Sequence, residues 1–153
     1  MVQHRQAPQK TLVADAREAV EICVGMNIRA AARRITSFLD RRMQDTGLSI
    51  AQFGLMTHIA AAARDDTIGA LARRSGLDQS TLSRNLRSLE AAGLVEIAIV
   101  EADMRRRTIW LTEKGARRLE AALPIWRQAQ AALSKIVNPS DVQGLAAATL
   151  ALG

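Results

Sequence analysis

The stretch from Thr67 to Gly93, TIGALARRSGLDQSTLSRNLRSLEAAG, permits few folds. It reads as two short helices joined by a tight turn. Thr67 can cap the first helix, its hydroxyl accepting from a free amide of the first turn. Ile68 and Leu71 form the apolar stripe of that helix, and Ala72 is small enough for a second helix to cross closely. Gly76 stands where the first helix must stop, in a left-handed conformation that costs glycine almost nothing. Asp78 then caps a second helix with Leu82, Leu86 and Leu89 on one face. At about 100° per residue, Ser80, Arg84, Arg87 and, at the margin, Ser83 fall on the opposite face. Ala72, Gly76 and Leu82 are thus the skeleton of a helix-turn-helix, whose second helix lies in a DNA major groove. A plain helical hairpin would explain the two stripes equally well. It would not explain the outward hydroxyls and guanidiniums, nor the residues after the second helix.

Those residues begin with a β-rich run, Leu94–Val100. The turn-like and basic EADMRRR of Glu101–Arg107 comes next, then a second β-like run, Thr108–Thr112. A helix-turn-helix followed by a hairpin with a basic tip is a winged helix. Consecutive arginines on such a tip suit phosphates and a narrow minor groove. The strand before the tip, Ile97–Val100, is apolar, which concentrates the basic character at Arg105–Arg107.

Residues from about Leu48 to Gly115 resemble the MarR family of bacterial transcription regulators. The resemblance is carried by GLSIAQFGLM (Gly47–Met56), by LARRSGLDQSTLSRNLRSLEAAGLVE (Leu71–Glu96), and by Asp103-Met104-Arg105 running on to LTEKG (Leu111–Gly115). It implies a mainly α fold with a small β-hairpin, a winged helix-turn-helix flanked by N- and C-terminal dimerisation helices. It also implies an obligate homodimer on a pseudo-palindromic operator in double-stranded DNA. In such proteins Asp103 would orient Arg105, and Arg105 would enter the minor groove. Many members bind a small molecule between the dimer helices and the DNA-binding lobe, which weakens DNA affinity. Candidate lining residues here are Met26, Phe53, Met56, Trp110 and Trp126, each equally readable as core.

The flanks fit that plan. At 153 residues, with 48% apolar and 24% charged residues, the chain has the composition of one ordinary globular domain. Residues 1–10 read as a tail. Residues 11–46 and 113–153 read as dimerisation helices, and 49–112 as the winged lobe. A first helix from Thr11 carries Leu12, Ala16, Ala19 and Cys23 on one side. A break or kink is expected at Gly25 and Asn27, with a long helix from about Asn27 to Gln44. Ser49 and Gln52 form a capping box for a helix from Ile50 to about Ala63. Asp65-Asp66 is a turn into the helix-turn-helix. Thr112 caps a long helix in which Pro124 should kink or break the chain. Asn138-Pro139 ends that helix, and a second capping box at Ser140 and Gln143 opens a short closing helix. The outer helices carry more apolar surface than a small winged helix could cover, so a second copy is the simplest partner.

The formal charge is +6, yet between Arg64 and Arg107 eight arginines face seven carboxylates. The surplus lies in the flanks, including Arg29, Arg33, Arg34, Arg41 and Arg42. DNA contact therefore depends on where charges point. Gln79, Ser80, Thr81 and Ser83 lie at or near the start of the second helix, where free amides also favour phosphate. Arg84 and Arg87 can reach guanine edges or phosphates. Arg106 and Arg107 are expected backbone contacts beside Asp103 and Arg105. No catalytic constellation, glycine-rich phosphate loop or metal-ligand spacing is visible, with His4 and His58 the only histidines, so neither an enzyme, a cofactor nor a metal is expected. The single Cys23 excludes an internal disulfide and fits a reducing, cytoplasmic setting. No apolar run approaches a membrane span, so no membrane partner is expected. Two alternatives stay open: a redox-responsive regulator using Cys23, although the chain has no Tyr to assist it, and an interaction module that kept the winged helix without DNA binding.

Overall fold

The structure, a computed structural model, describes residues 11–62, 66–100 and 103–152. The side chains of Val100 and of residues 103–106 lie outside that description, as does the expected tail at 1–10. The chain falls into two compact units, Met1–Ser37 and Phe38–Gly153.

In the first unit, α1 runs Leu12–Ile22, and α2, Val24–Arg42, begins there and continues into the second. The break comes at Cys23, whose backbone is extended, and not at Gly25 or Asn27. Asn27 sits in the first turns of α2 and its side-chain amide donates to the Glu21 carbonyl at 2.9 Å. A residue read as a helix breaker thus caps the end of α1, a task to which its short amide is suited.

The second unit holds the core. After a short 3-10 turn, Gln44–Thr46, come α3 (Ile50–Ala61), α4 (Ile68–Ser75), α5 (Gln79–Ala91), β1 (Val95–Val100), β2 (Asp103–Leu111), α6 (Glu113–Leu133) and α7 (Pro139–Thr149). The expected capping box is present: the Ser49 hydroxyl accepts from the Gln52 amide, and the Gln52 side chain accepts from the Ser49 amide. Phe53, Leu55, Met56 and Ile59 of α3 are buried with Leu71 of α4, Leu82, Leu86 and Leu89 of α5, Ile109 of β2, and Leu119 and Ala122 of α6. With so few aromatics, branched aliphatics and methionine fill this interior. Phe53 stacks on Trp126 with ring centroids 5.6 Å apart. Phe53 and Met56 are therefore core, while Trp110 and Met26 are exposed.

The C-terminal helices differ from expectation in two places. Of the kink or break expected at Pro124, the break does not occur, since Pro124 lies within α6, which runs from Glu113 to Leu133. A proline there forfeits one backbone bond, and the packing of Leu119, Ala122 and Ala129 on either side holds the helix together. The cap of α7 is Asn138, whose side chain accepts from the Ser140 amide, with Pro139 at the first helical position. Proline's fixed φ suits that position, so the helix starts two residues earlier than a Ser140 cap would allow.

Candidate nucleic-acid interface

The helix-turn-helix forms as its sequence dictates. The Thr67 hydroxyl accepts from the Ala70 amide at 3.1 Å. Gly76 ends α4 with φ of +64°. Asp78 caps α5, its carboxylate accepting from the Thr81 amide at 2.8 Å, the Thr81 hydroxyl at 2.6 Å and the Ser80 hydroxyl at 2.7 Å. These bonds hold the Asp78 carboxyl well below the usual carboxylate range, the Thr81 hydroxyl contributing most, then the Thr81 amide and the Ser80 hydroxyl. Both hydroxyls therefore spend their protons on Asp78 and turn lone pairs outward.

Burying Leu82, Leu86 and Leu89 leaves Gln79, Ser80, Arg84 and Arg87 exposed on α5, with Thr81 and Ser83 half-buried. Helix α5 is tied to α3 at the surface as well, since the Gln52 side chain donates to Ser88 at 3.1 Å.

The wing is an antiparallel pair in which Val95 faces Leu111, Glu96 faces Trp110 and Ile99 faces Arg107. The Trp110 indole donates to Glu96 at 3.1 Å. Strand β2 begins at Asp103, so Arg105, Arg106 and Arg107 belong to a strand and not to a turn. The register shifts between Ile99 and Val100, because Val100 pairs with Asp103 while Ile99 pairs with Arg107. Residues 104–106 are the longer arm of that irregularity. Such bulges bend a strand and re-aim its side chains, which is how a run that looks like a turn can be strand. Arg107 is exposed; the side chains of Asp103, Arg105 and Arg106 lie outside the described residues. Ile97 packs against the core while Ile99 is exposed, so the apolar strand is partly structural.

Between α5 and the wing runs an open groove of about 580 Å³, whose lining includes Gln79, Ser83, Arg87, Glu90, Ile97 and Arg107. The structure thus brings Gln79, Ser83, Arg87 and Arg107 to one groove, with Arg84 and Ser80 on the exposed surface of the same helix. Glu90 adds a carboxylate to the same groove.

Asp66 does more than turn the chain into α4. Its side chain is 1% exposed and pairs with Arg74 at 2.5 Å. Its carbonyl accepts from the Ile109 amide at 3.0 Å, and Thr67 bridges Thr108. The entry to α4 is thereby bridged to β2, and an ion pair straps the far end of α4 to that entry. In the sequence only the spacing of Asp66 and Arg74 hints at this, and spacing alone cannot show burial.

Among the described residues no group of His, Cys, Asp and Glu could hold a metal ion, and no helix is long and apolar enough to cross a membrane.

Residues 46–106 match the model of the MarR family. The HTH-type transcriptional repressor NicR of Pseudomonas putida is 31% identical over 108 residues, which cover 69% of this chain and 66% of NicR, just under two thirds of that relative. The M. tuberculosis transcriptional regulator MosR, in a crystal structure with DNA, is 33% identical, with a TM-score of 0.73 over 85% of this chain and 98% of that one. A mutant MarR from E. coli, complexed with operator DNA, shares the fold at 23% identity and a TM-score of 0.71, over 88% of this chain and 96% of that one. The family model lies on the helix-turn-helix and the wing, and a regulator one third identical matches along nearly its whole length: the chain belongs to the MarR family.

Proposed function

We propose that this protein is a sequence-specific double-stranded DNA-binding transcription regulator, a homodimeric repressor that occupies a short pseudo-palindromic operator and is released by a small ligand. The observation that carries the reading is the exposed face of α5, where Gln79, Ser80, Arg84 and Arg87 stand clear while its three leucines are buried, beside a wing strand carrying Arg107. An α-helix bearing such a face fits a major groove, and guanidiniums beside it neutralise phosphates. The names of the relatives support it: NicR is called a repressor, and MosR was crystallised in complex with DNA. The family is one of regulators and not of enzymes.

Roles follow from chemistry. Arg84 and Arg87 take guanine edges or phosphates; Gln79, Ser80, Thr81 and Ser83 meet base edges and backbone at the start of α5. In the wing, the family resemblance gives Asp103 the part of orienting Arg105 toward the minor groove, and Arg106 and Arg107 take the backbone. Residues 11–46 and 113–153 join two copies, 49–112 read the DNA, and the protein works in the cytoplasm.

The test is binding to the DNA upstream of its own gene at several salt concentrations, with Arg87→Ala and Arg105→Ala beside wild type. Steep salt dependence, a preferred site and a loss of about 1–3 kcal/mol in either variant are expected. Weak binding without a preferred site, there and on random genomic fragments, unchanged in both variants, would leave the interaction-module reading in its place.

A further inference from the structure

The motif LTEKG, which closes the wing and opens α6, has a task in this structure. Helix α5 ends in a Schellman turn: the Gly93 amide donates to Glu90 and the Leu94 amide to Leu89, both at 2.9 Å, with Gly93 at φ +69°. The carbonyls of Ala92, Gly93 and Leu94 are taken by the start of α6. The Lys114 ammonium donates to Ala92 at 2.7 Å, the Thr112 hydroxyl to Gly93 at 2.6 Å and the Thr112 amide to Leu94 at 3.1 Å. A cation at the C-terminal end of a helix also meets its negative pole. Gly115 completes the fit, because a Cβ there would lie 1.9 Å from the Leu94 carbonyl oxygen. One turn further along, Arg118 donates to the Thr46 carbonyl at 3.2 Å. The first turns of α6 thus grip both the exit of α5 and the turn before α3.

We propose that Lys114 is a positioning residue for DNA reading: it fixes the exit of α5 on α6, and so sets the separation of the two α5 helices in the dimer. This rests on the function proposed above. Lys114 touches no base or phosphate in this role. It is exposed, so replacing it leaves the core untouched. What it controls is geometry between the two copies, and one added base pair turns a half-site by about 35° and carries it about 3.4 Å.

The experiment measures binding of the full-length dimer to operators selected by wild type, with the central spacer one base pair shorter, unchanged or one longer. Wild type, Lys114→Met and Lys114→Arg are compared, with thermal unfolding followed alongside. Wild type should prefer its own spacing by about tenfold. Lys114→Met should bring that preference to about threefold while base preference within each half-site and the melting temperature stay put; Lys114→Arg, which keeps a cationic donor, should restore most of it. Equal weakening at every spacing, or unchanged spacing preference in Lys114→Met, overturns the proposal and leaves the regulator reading intact. Absence of any selective binding by wild type overturns the regulator reading, and this one with it.

Discussion

Helices α5 and α7 are of similar length and both are rich in Leu or Ala, yet they end in opposite situations. Every leucine of α5 is buried, Leu82 and Leu89 at 1% exposure and Leu86 at 4%. Helix α7 buries none of its residues, and Val142 and Leu145 are each 46% exposed. Helix α1 resembles α7, with no buried residue and with Leu12, Val13, Val20 and Ile22 exposed. Apolar content does not separate the two kinds of helix. In α5, leucines recur at helical spacing opposite a polar face, so the chain can cover them itself. In α1 and α7 the apolar residues stay exposed in one copy, and the proposed homodimer assigns that surface to a second copy. In the function proposed above, the lobe is complete within one copy and the terminal helices are completed by a second.

Charging the unfinished half should have the largest effect. Val142→Glu with Leu145→Glu puts two carboxylates where a second copy is to pack, and the dimer dissociation constant should rise by about 100-fold or more. Sedimentation equilibrium measures it. An unchanged dimer would mean that α7 is exposed in the assembly too, and the contrast between the helices would lose its explanation.

Within the lobe the contrast becomes one of stability. Leu82→Ala should cost about 2–5 kcal/mol, through lost burial and the cavity left behind. Leu152→Ala, at a residue 84% exposed in one copy, should change the unfolding of a dilute monomer by about 0.5 kcal/mol or less. Urea denaturation of both variants on a monomeric background sharpens the comparison, and similar losses would break it. A smaller effect belongs to the turn between α4 and α5. Gly76→Ala forces a side chain into a left-handed conformation with open space around it, so backbone strain of about 1–2 kcal/mol is the whole expected cost. A larger loss in the same denaturation would show that neighbours also resist the new methyl.

The features legible in the sequence divide along the same line. The caps at Thr67, Asp78 and Thr112, the Ser49–Gln52 box and the stop at Gly76 are legible because each depends on residues within a few positions. The apolar stripe of α5, and hence its exposed Arg84 and Arg87, is legible for the same reason. The pairing of Asp66 with Arg74 is not, because Asp66 is buried only once β2 passes beside it. The need for glycine at 115 is hidden too, since it arises from the Leu94 carbonyl, distant in sequence. Local rules mislead where two apply at once. Asn27 looks like a helix breaker and caps α1, Ser140 looks like a cap and is preceded by Asn138 with Pro139, and the arginines after Met104 look like a turn and lie within β2, where Arg107 pairs with Ile99. The roles of Asp103, Arg105 and Arg106 are matters for the DNA-binding experiment.

The last prediction concerns Asp78, where the two hydroxyls and one amide stabilise the charged form. Its native pKa lies below the unfolded value of about 3.9, so the unfolded chain binds a proton first as acid is added. The stabilisation from this group is therefore fully present above that value, constant from pH 7 down to about 5, and lost as the pH falls through the native pKa. Carboxyl-carbon NMR of Asp78 should place its wild-type titration midpoint well below that of an unperturbed aspartate. Thr81→Val removes the hydroxyl that contributes most and should raise the titration midpoint toward the ordinary range, while Ser80→Ala should raise it less. A wild-type midpoint near 4 would show that the hydroxyls are not committed to Asp78 in solution. Ser80 and Thr81 would then be free to donate protons to DNA, and the start of α5 would offer its operator donors as well as acceptors.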